Sequence, residues 1–470
     1  MDLEKGTFIS NGLDSRSEEY YLGTTTWSTN PEDWELRIGA GGIVNDPQGE
    51  WDYSTAEAYI NEQITIEANI RQAQDTRIEG LIPLADNEDL TKSGSYLKFK
   101  DRTYNQVSPN GMGRVILRNN LVEEVNTLTQ SMISQTNTIY VIQYDFTLGE
   151  NITIPSNCIL DFEGGSINSG TITGNNTQMK AADIAIFTDI IIADTWNVPY
   201  ITSAWFSDIT QDNKVKNLIA LTDENIYNEV TILEGTYVVS IAELNTAVLY
   251  PNSNTKINLL GTLQLTPNSI ASQRIIALSS VENVTIIGTG SIIGDKNSHI
   301  GEGEGACEGI RIGYAKNITI QGIEISNWWT DGIYIGGSGS QSPVSRDNVT
   351  SDILIRGLKI HDCRRQGISV TKAQTLTIEQ CEIYNISGTP PQAGIDIEPN
   401  TNNMAKEIYV HNNYIHDCAG ACFDTYGSVN GNFYYIEDVL VENNTFYNPN
   451  GKSIQIGRHP KNVIYCNNRV

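Results

Sequence analysis

The run AGIDIEPN, residues 393–400, places Asp396 and Glu398 on either side of Ile397, directly after a glycine. In an extended strand alternate residues face opposite sides, so Ile395 and Ile397 point one way and the two carboxylates the other. Glycoside hydrolysis needs such a pair, one carboxyl protonated and one ionised, about 5 to 9.5 Å apart depending on stereochemistry. Along a strand Asp396 and Glu398 stand roughly 7 Å apart. Like charges this close raise at least one pKa, which supplies the protonated member.

A repeat holds these residues. EGIRIG (308–313), DGIYIG (331–336), QGISVT (366–371), AGIDIE (393–398), ACFDTY (421–426) and KSIQIG (452–457) align, with apolar residues alternating in each. A second series follows at a steady offset: NITIQGIEISN (317–327), DILIRGLKIHD (352–362), TLTIEQCEIYN (375–385), EIYVHNNYIHD (407–417) and DVLVENNTFYN (438–448). Repeats recur every 23 to 35 residues, the excess lying in loops. Two or three short strands per turn of the chain, with β-branched residues inward, describe an all-β solenoid, the right-handed parallel β-helix. No amphipathic helical pattern competes in this region.

Stacked coils lie about 4.8 Å apart, which makes a column of Arg311, Tyr334, Ser369, Asp396, Asp424 and Gln455. Asp424 thereby joins Asp396 and Glu398 as the expected acid/base group, without individual assignment. Gly309, Gly332, Gly367 and Gly394, two positions earlier, are expected on the same outward face as a bare trough beside which a flat ring could lie. Asp331, Tyr334, Gln366, Ser369 and Tyr426 form the expected binding wall. Arg364 and Arg365 are placed to take uronate or other acidic groups, or to orient a carboxylate. Trp328 and Trp329 precede Asp331; Trp329 is the expected sugar-stacking residue, with burial in the turn as the alternative. The loops 338–350, 399–406 and 427–437 follow this column and are expected along one edge of the trough.

Other columns are structural. The seventh residue of the second series reads Ile323, Leu358, Cys381, Asn413, Asn444, and stacked asparagines satisfy one another's amides. The eleventh reads Asn327, Asp362, Asn385, Asp417, Asn448, a turn column. Asn283 and Asn317, although in NxT sequons, fit ladder positions better than glycan acceptors.

Upstream, NITIPSNCILDFEGGSI (151–167) and TILEGTYVVS (231–240) read as earlier coils. The segment WFSDITQDNKVKNLIALTD (205–223) reads as a short helix covering the open end of the stack, since solenoid ends expose unpaired edges and core. The expected organisation is an N-terminal attachment and oligomerisation region over 1–100, a β-rich neck with first coils over 101–200, and the β-helix over 201–470. Residues 54–78 carry a helical pattern with a narrow apolar stripe. A coiled coil between subunits would bury that stripe, and packing within its own domain would do so equally.

Composition narrows the partners. The 470 residues are 39% hydrophobic and 18% charged, with 40 glycines, 14 prolines and a net charge of −26. That charge disfavours nucleic acid and anionic membrane surfaces, and a neutral or weakly charged substrate fits better than a strongly anionic one. No apolar run is long enough for a transmembrane helix, and the start MDLEKGTFIS lacks the basic and apolar regions of a signal peptide. Seven cysteines without CxxC spacing read as core thiols. His361 and His416 fall in one column two coils apart, about 9.6 Å, too far to share a metal. GEGEG (301–305) lacks the setting and the lysine of a phosphate loop. No metal or other cofactor is expected.

The capped stack, with WFSDITQDN before ILEGTYVVS, resembles the pectate-lyase-like β-helix superfamily of polysaccharide lyases, glycoside hydrolases and phage tail-spike depolymerases. GTGSIIGDKNSHIG (288–301), NWWTDGIYIGG (327–337), CRRQGISV (363–370) and AGIDIEPN are similar to a β-helix type of phage and bacterial glycan-active proteins. DLTKSGSYLKFKDRTYN…GMGRVILRNN (89–120), with TNTIYVIQYDF (136–146), resembles tail appendage proteins of gut (crAss-like) bacteriophages. The NTD…DD…GHG…RIK set of polygalacturonase-type hydrolases is absent beyond TDG at Thr330–Gly332, and no cluster matches the calcium aspartates of pectate lyases. The site is therefore argued from position.

The resemblance implies a virion protein of the tail-spike kind, made in the host cytoplasm without a signal peptide. Such a protein would be a homotrimer joined to other tail proteins through its N-terminal region, and would bind and depolymerise bacterial surface polysaccharide. A non-catalytic receptor-binding or structural tail protein is the first alternative. A polysaccharide lyase using Arg365, Tyr334 or Tyr426 as base is the second, disfavoured by the missing signal peptide.

Overall fold

Alternating isoleucines and valines build sheets, and short Asn- and Asp-rich corners turn the chain between them. The computed structural model describes residues 112–118, 126–207, 209–303, 305–337, 350–399, 403–426, 435–449, 451–457 and 460–470, together with strands Leu90–Ser93 and Tyr96–Phe99. The chain divides into two units, Met1–Asp101 and Arg102–Val470. In the first, Leu90–Ser93 and Tyr96–Phe99 pair as an antiparallel hairpin. The helix expected near 54–78 lies outside the described residues.

The second unit is a parallel β-helix. From Tyr200 onward three parallel sheets, of ten, eight and eight strands, run to the end of the chain, and each coil passes through the first, second and third in turn. A coil is exemplified by Lys316–Gln321, Glu324–Ser326 and Asp331–Gly336. The strands Asn228–Ile232 and Thr236–Val239, from the expected coil at 231–240, begin the complete windings. Residues 151–167 fall in a separate nine-stranded sheet before them.

The helix at Gln211–Ala220 starts at Thr210, whose hydroxyl accepts from the backbone N–H of Asn213, an N-cap that satisfies one otherwise orphaned donor. It packs on Phe187–Asn197 and the first-coil strands, burying Val215, Leu218 and Ile219. Asn217 clips it there, accepting from the Ile192 N–H and donating to the Ile190 carbonyl. The opening of the stack is thus covered where the sequence places a cap.

Inside, identical side chains stack coil on coil. Ile325, Ile360, Ile383, Ile415 and Phe446 form one buried column of the second sheet. Each such aliphatic burial contributes about 1.5–3 kcal/mol. The asparagine column forms a ladder: Asn413 Nδ2 donates to Asn444 Oδ1, and Asn444 Nδ2 donates to Asn468 Oδ1. On the surface, Asn317 Nδ2 donates to Asn283 and Asn283 to Asn254, the ladder role expected of these sequon residues. Asn327, Asp362, Asn385 and Asp417 all have φ between 52° and 60°, left-handed corners that Asn and Asp tolerate best. Six of the seven cysteines are buried and all are free thiols.

Candidate functional site on the third sheet

The third sheet carries the expected column in the expected register. Arg311 pairs with Tyr334, Tyr334 with Ser369, Ser369 with Asp396, Asp396 with Asp424 and Asp424 with Gln455. Asp396 and Asp424 are therefore neighbours across one strand-to-strand step.

The glycines lie elsewhere than expected. Pairing runs Asp331 with Gln366 and then Ile333 with Ile368, leaving Gly332 and Gly367 unmatched between them. The register is kept on both strands, yet this pair makes no bridge and the alternation of faces is interrupted there, since Gly332 and Ile333 both turn to the core. A Cβ on Gly309, Gly332, Gly367 or Gly394 would meet Cγ2 of Ile325, Ile360, Ile383 or Ile415 at 2.9, 2.6, 2.5 and 2.4 Å. The glycine column thus faces the core, where only a hydrogen fits beneath the second sheet. No bare trough exists there. The interruption has a second effect: Glu308, Asp331 and Gln366, one residue earlier, turn onto the outer face with Arg311, Tyr334, Ser369 and Asp396.

Sequence reasoning also placed this face in solvent, and the structure corrects that. Asp396 is 1% exposed and Asp424 4%, and Glu308, Asp331, Tyr334, Gln366 and Ser369 are buried as well. Glu398 and Tyr426 are exposed. Alternation in a strand tells which face a residue takes but not what lies over that face.

Such burial demands pairing. Arg365 binds Asp331 through two nitrogens, Nε at 2.9 Å and Nη2 at 2.6 Å. Glu308 accepts from Arg311 Nη1 at 2.9 Å and faces Arg274 Nε at 3.5 Å. The Arg311 guanidinium also lies 4.4 Å over the Tyr334 ring, whose hydroxyl accepts from Thr371. Gln366 Nε2 donates to Asp396 Oδ2, and Gln455 Nε2 donates to Asp424 Oδ2 at 2.9 Å. Asp396 Oδ1, Asp424 Oδ1 and Gln366 Oε1 are buried without a hydrogen-bond partner.

The carboxyl groups are pushed toward their neutral forms. Burial raises Asp396 well above the usual range, and the charges of Glu398, Asp424 and Asp331 add to it while Arg365 opposes. Burial likewise raises Asp424 to about 6 and Glu308 to about 7, the latter against Arg311 and Arg274. Asp331 is raised by burial and held back by Arg365. Desolvation raises Glu398 too, against Arg365, although its side chain still reaches solvent. One face thus combines a strongly proton-retaining acid with carboxylates that ionise more readily.

Two expected binding residues are already engaged elsewhere. The Arg364 guanidinium sits 3.9 Å over the Trp329 ring and donates to the Gly303 carbonyl. Trp329 also stacks on His299 at 4.3 Å, and His299 Nδ1 pairs with buried Asp295 at 2.9 Å. This stack takes the ring faces that a sugar would need, so the chain itself fills the role expected of Trp329 toward ligand. Trp328 is fully buried. His361 and His416 sit two coils apart with Tyr384 stacked between them, at 4.6 and 5.0 Å. Among the described residues no group of His, Cys, Asp and Glu is arranged to hold a metal ion. Of the loops expected at 338–350, 399–406 and 427–437, residues 338–349, 400–402 and 427–434 lie outside the described residues, while 404–406 and 435–437 belong instead to the strands Met404–His411 and Tyr435–Glu442.

Glu308, Arg274 and Gln455 belong to this face and were not singled out from sequence as site residues. The available signal was positional: Glu308 opens EGIRIG where Asp331 opens DGIYIG and Gln366 opens QGISVT.

Residues 268–470 match the family model described as a right handed beta helix region. The uncharacterized protein YclG of Bacillus subtilis (strain 168) is 33% identical over 146 residues, 29% of this chain and 24% of that protein. The SPbeta prophage-derived uncharacterized protein YorA of the same organism is 28% identical over 165 residues, 33% of this chain and 28% of its own length. The aligned part thus spans about a quarter of the length of these curated relatives. Among solved structures, Dettilon tailspike protein (gp208) is similar at 12% identity and TM-score 0.29, over 70% of this chain and 64% of that one. A polygalacturonase from Erwinia carotovora ssp. carotovora is similar at 13% and 0.27, over 76% and 94%. Pectate lyase Pel9A is similar at 12% and 0.28, over 52% and 53%. Superpositions this loose transfer no activity.

Proposed function

We propose that this chain binds and depolymerises bacterial surface polysaccharide by acid/base glycoside hydrolysis on the outer face of its third sheet, as a tail-spike-like phage protein. The observation that carries the reading is the pairing of Asp396 with Asp424 on adjacent strands, with Glu398 just past the end of the first, and their unequal hold on their protons. Asp396 is the general acid: it delivers its proton to the glycosidic oxygen as the C1–O bond breaks. Exposed Glu398 takes a proton from the incoming water as its oxygen bonds to C1, and that proton then passes from Glu398 through solvent to Asp396, which restores both groups. Asp424 keeps Asp396 protonated through its charge. The prophage origin in YorA's name supports the phage setting, and trimeric assembly with attachment through residues 1–100 goes with it.

Reducing-end release from bacterial surface polysaccharide tests this. Asp396→Asn and Glu398→Gln should each lower turnover by about 10²–10⁴-fold with binding retained. A wild type that binds glycan and releases no ends supports the alternative, a non-catalytic receptor-binding protein. One observation favours that alternative: Asp396 and Asp424 are almost wholly buried, so substrate reaches them only if the face opens. A lyase base is less well supplied, because Arg365 is clamped on Asp331 and the Tyr334 hydroxyl is held by Thr371. Tyr426 remains exposed, and an unsaturated product would point to it.

A further inference from the structure

The hydrogen-bonding capacity of this face is lopsided. Among the described residues its cationic groups are engaged within the chain: Arg311 donates to Glu308, Arg274 donates to Ser272 Oγ and sets its charge 3.5 Å from Glu308, Arg365 is on Asp331, and Arg364 is on the Gly303 carbonyl and the Trp329 ring. Lys452 Nζ donates to Gln455 Oε1 at 2.6 Å. The amides of Gln366 and Gln455 are spent on Asp396 and Asp424. Among the described residues, the buried atoms of the acid pair and its glutamine that have no partner are Asp396 Oδ1, Asp424 Oδ1 and Gln366 Oε1; farther along the face, Arg274 Nε and Glu308 Oε2 also have none and face each other. Asp396 Oδ1 carries the proton of the general acid, which leaves Asp424 Oδ1 and Gln366 Oε1 as acceptors short of a donor; Gln366 Oε1 belongs to no acidic group, so at the acid pair the deficit is one of donors and not only of positive charge.

From this we infer the substrate class: a glycan segment free of carboxylate, sulfate and phosphate, which brings hydroxyl, amide or ammonium donors to those oxygens. The inference rests on the glycan reading above. A buried acceptor left without a donor is costly, and a ligand hydroxyl or N–H relieves that cost. A uronate does the opposite: it adds acceptors and sets its charge beside Glu398 and Asp424, and like charges brought together oppose binding. It would also need a guanidinium, and displacing Arg365 from Asp331 strands a buried carboxylate. The expectation that Arg364 and Arg365 receive acidic sugars is thereby reversed.

The test uses the full chain and polymers that differ only in charge. A uronate-containing bacterial polysaccharide is compared with the same polymer after its carboxyls are reduced to alcohols. A glycan array carrying neutral, N-acetylated, free-amino, uronate and sulfated sugars extends the comparison. The reduced polymer should bind at least about 10-fold more tightly than its parent at low salt, and array hits should be neutral, amidated or amino sugars. Glu398→Gln with Asp424→Asn, checked for native melting, should narrow the gap by raising affinity for the parent. Tighter binding of the acidic parent, or a gap unchanged in the double variant, overturns the substrate class while leaving glycan binding standing. No binding to any polymer or array sugar removes the glycan reading itself, and this inference with it.

Discussion

Asp396 and Asp424 are register partners on neighbouring parallel strands, and each is held in the same way. A glutamine from the adjoining coil donates to Oδ2, Gln366 for one and Gln455 for the other, while Oδ1 has no partner. Two acids fixed alike still differ in proton affinity, because Asp396 is more deeply buried and has more charges around it.

Removing the Asp424 charge should make Asp396 more acidic, since that charge now opposes its ionisation. In Asp424→Asn, Asp396 then loses its proton at lower pH, and the alkaline limb of the cleavage profile moves to lower pH. A pH–rate profile of the variant checks this; a limb that stays in place or moves up contradicts the assignment of Asp396 as acid.

Stability should fall as pH rises through the range where Glu308 titrates. Its folded-state pKa of about 7 lies above the ordinary glutamate value of about 4.3, so between these the folded chain binds more protons than the unfolded one. The stabilising contribution is complete below about pH 4.3 and lost through about pH 7, with a slope on the order of 1 kcal/mol per pH unit at most. Urea denaturation at a series of pH values should show a flatter dependence in Glu308→Gln than in wild type.

Arg365→Met strands Asp331, which is fully buried. Breaking a buried pair from one side costs about 3–5 kcal/mol. The loss should be greater at pH 8 than at pH 5, because Asp331 escapes the cost by taking a proton. Adding Asp331→Asn should recover part of the stability at pH 8, which a double-mutant cycle by chemical denaturation will show.

Gly367→Ala forces a methyl to within 2.5 Å of Ile383 Cγ2 and 2.6 Å of the Gly394 carbonyl. Overpacking of this kind costs about 1–3 kcal/mol. A lower urea midpoint with an unchanged slope is the expected result; a neutral substitution would mean that the position faces outward after all.

Asn444→Leu breaks the ladder at its centre. Asn413 loses an acceptor for both its backbone N–H and its side-chain amide, and the Val410 carbonyl and Asn468 Oδ1 lose a donor. Each orphaned buried group costs about 1–3 kcal/mol, so this variant should lose more stability than Ile383→Val in the same core.

Much of this was readable in the chain itself. A strand repeat of period two, recurring every few tens of residues, admits one way of stacking that keeps isoleucine on isoleucine. That stacking sets which residues share a column, and so Asp396 beside Asp424, the asparagine ladder and the covering helix could be inferred directly. The inward turn of Gly332 and Gly367 could not, because an interruption shared by both strands reverses the face of whatever precedes it and leaves no mark on the apolar alternation. Nor could the burial of the acid face, or the commitment of Arg365 to Asp331, Arg311 to Glu308 and Arg364 to Trp329. Those depend on what lies over the strand: Arg365 and Asp331, or Arg364 and Trp329, come from successive coils, and Arg311 meets Glu308 three residues away only because the alternation of faces is interrupted between them.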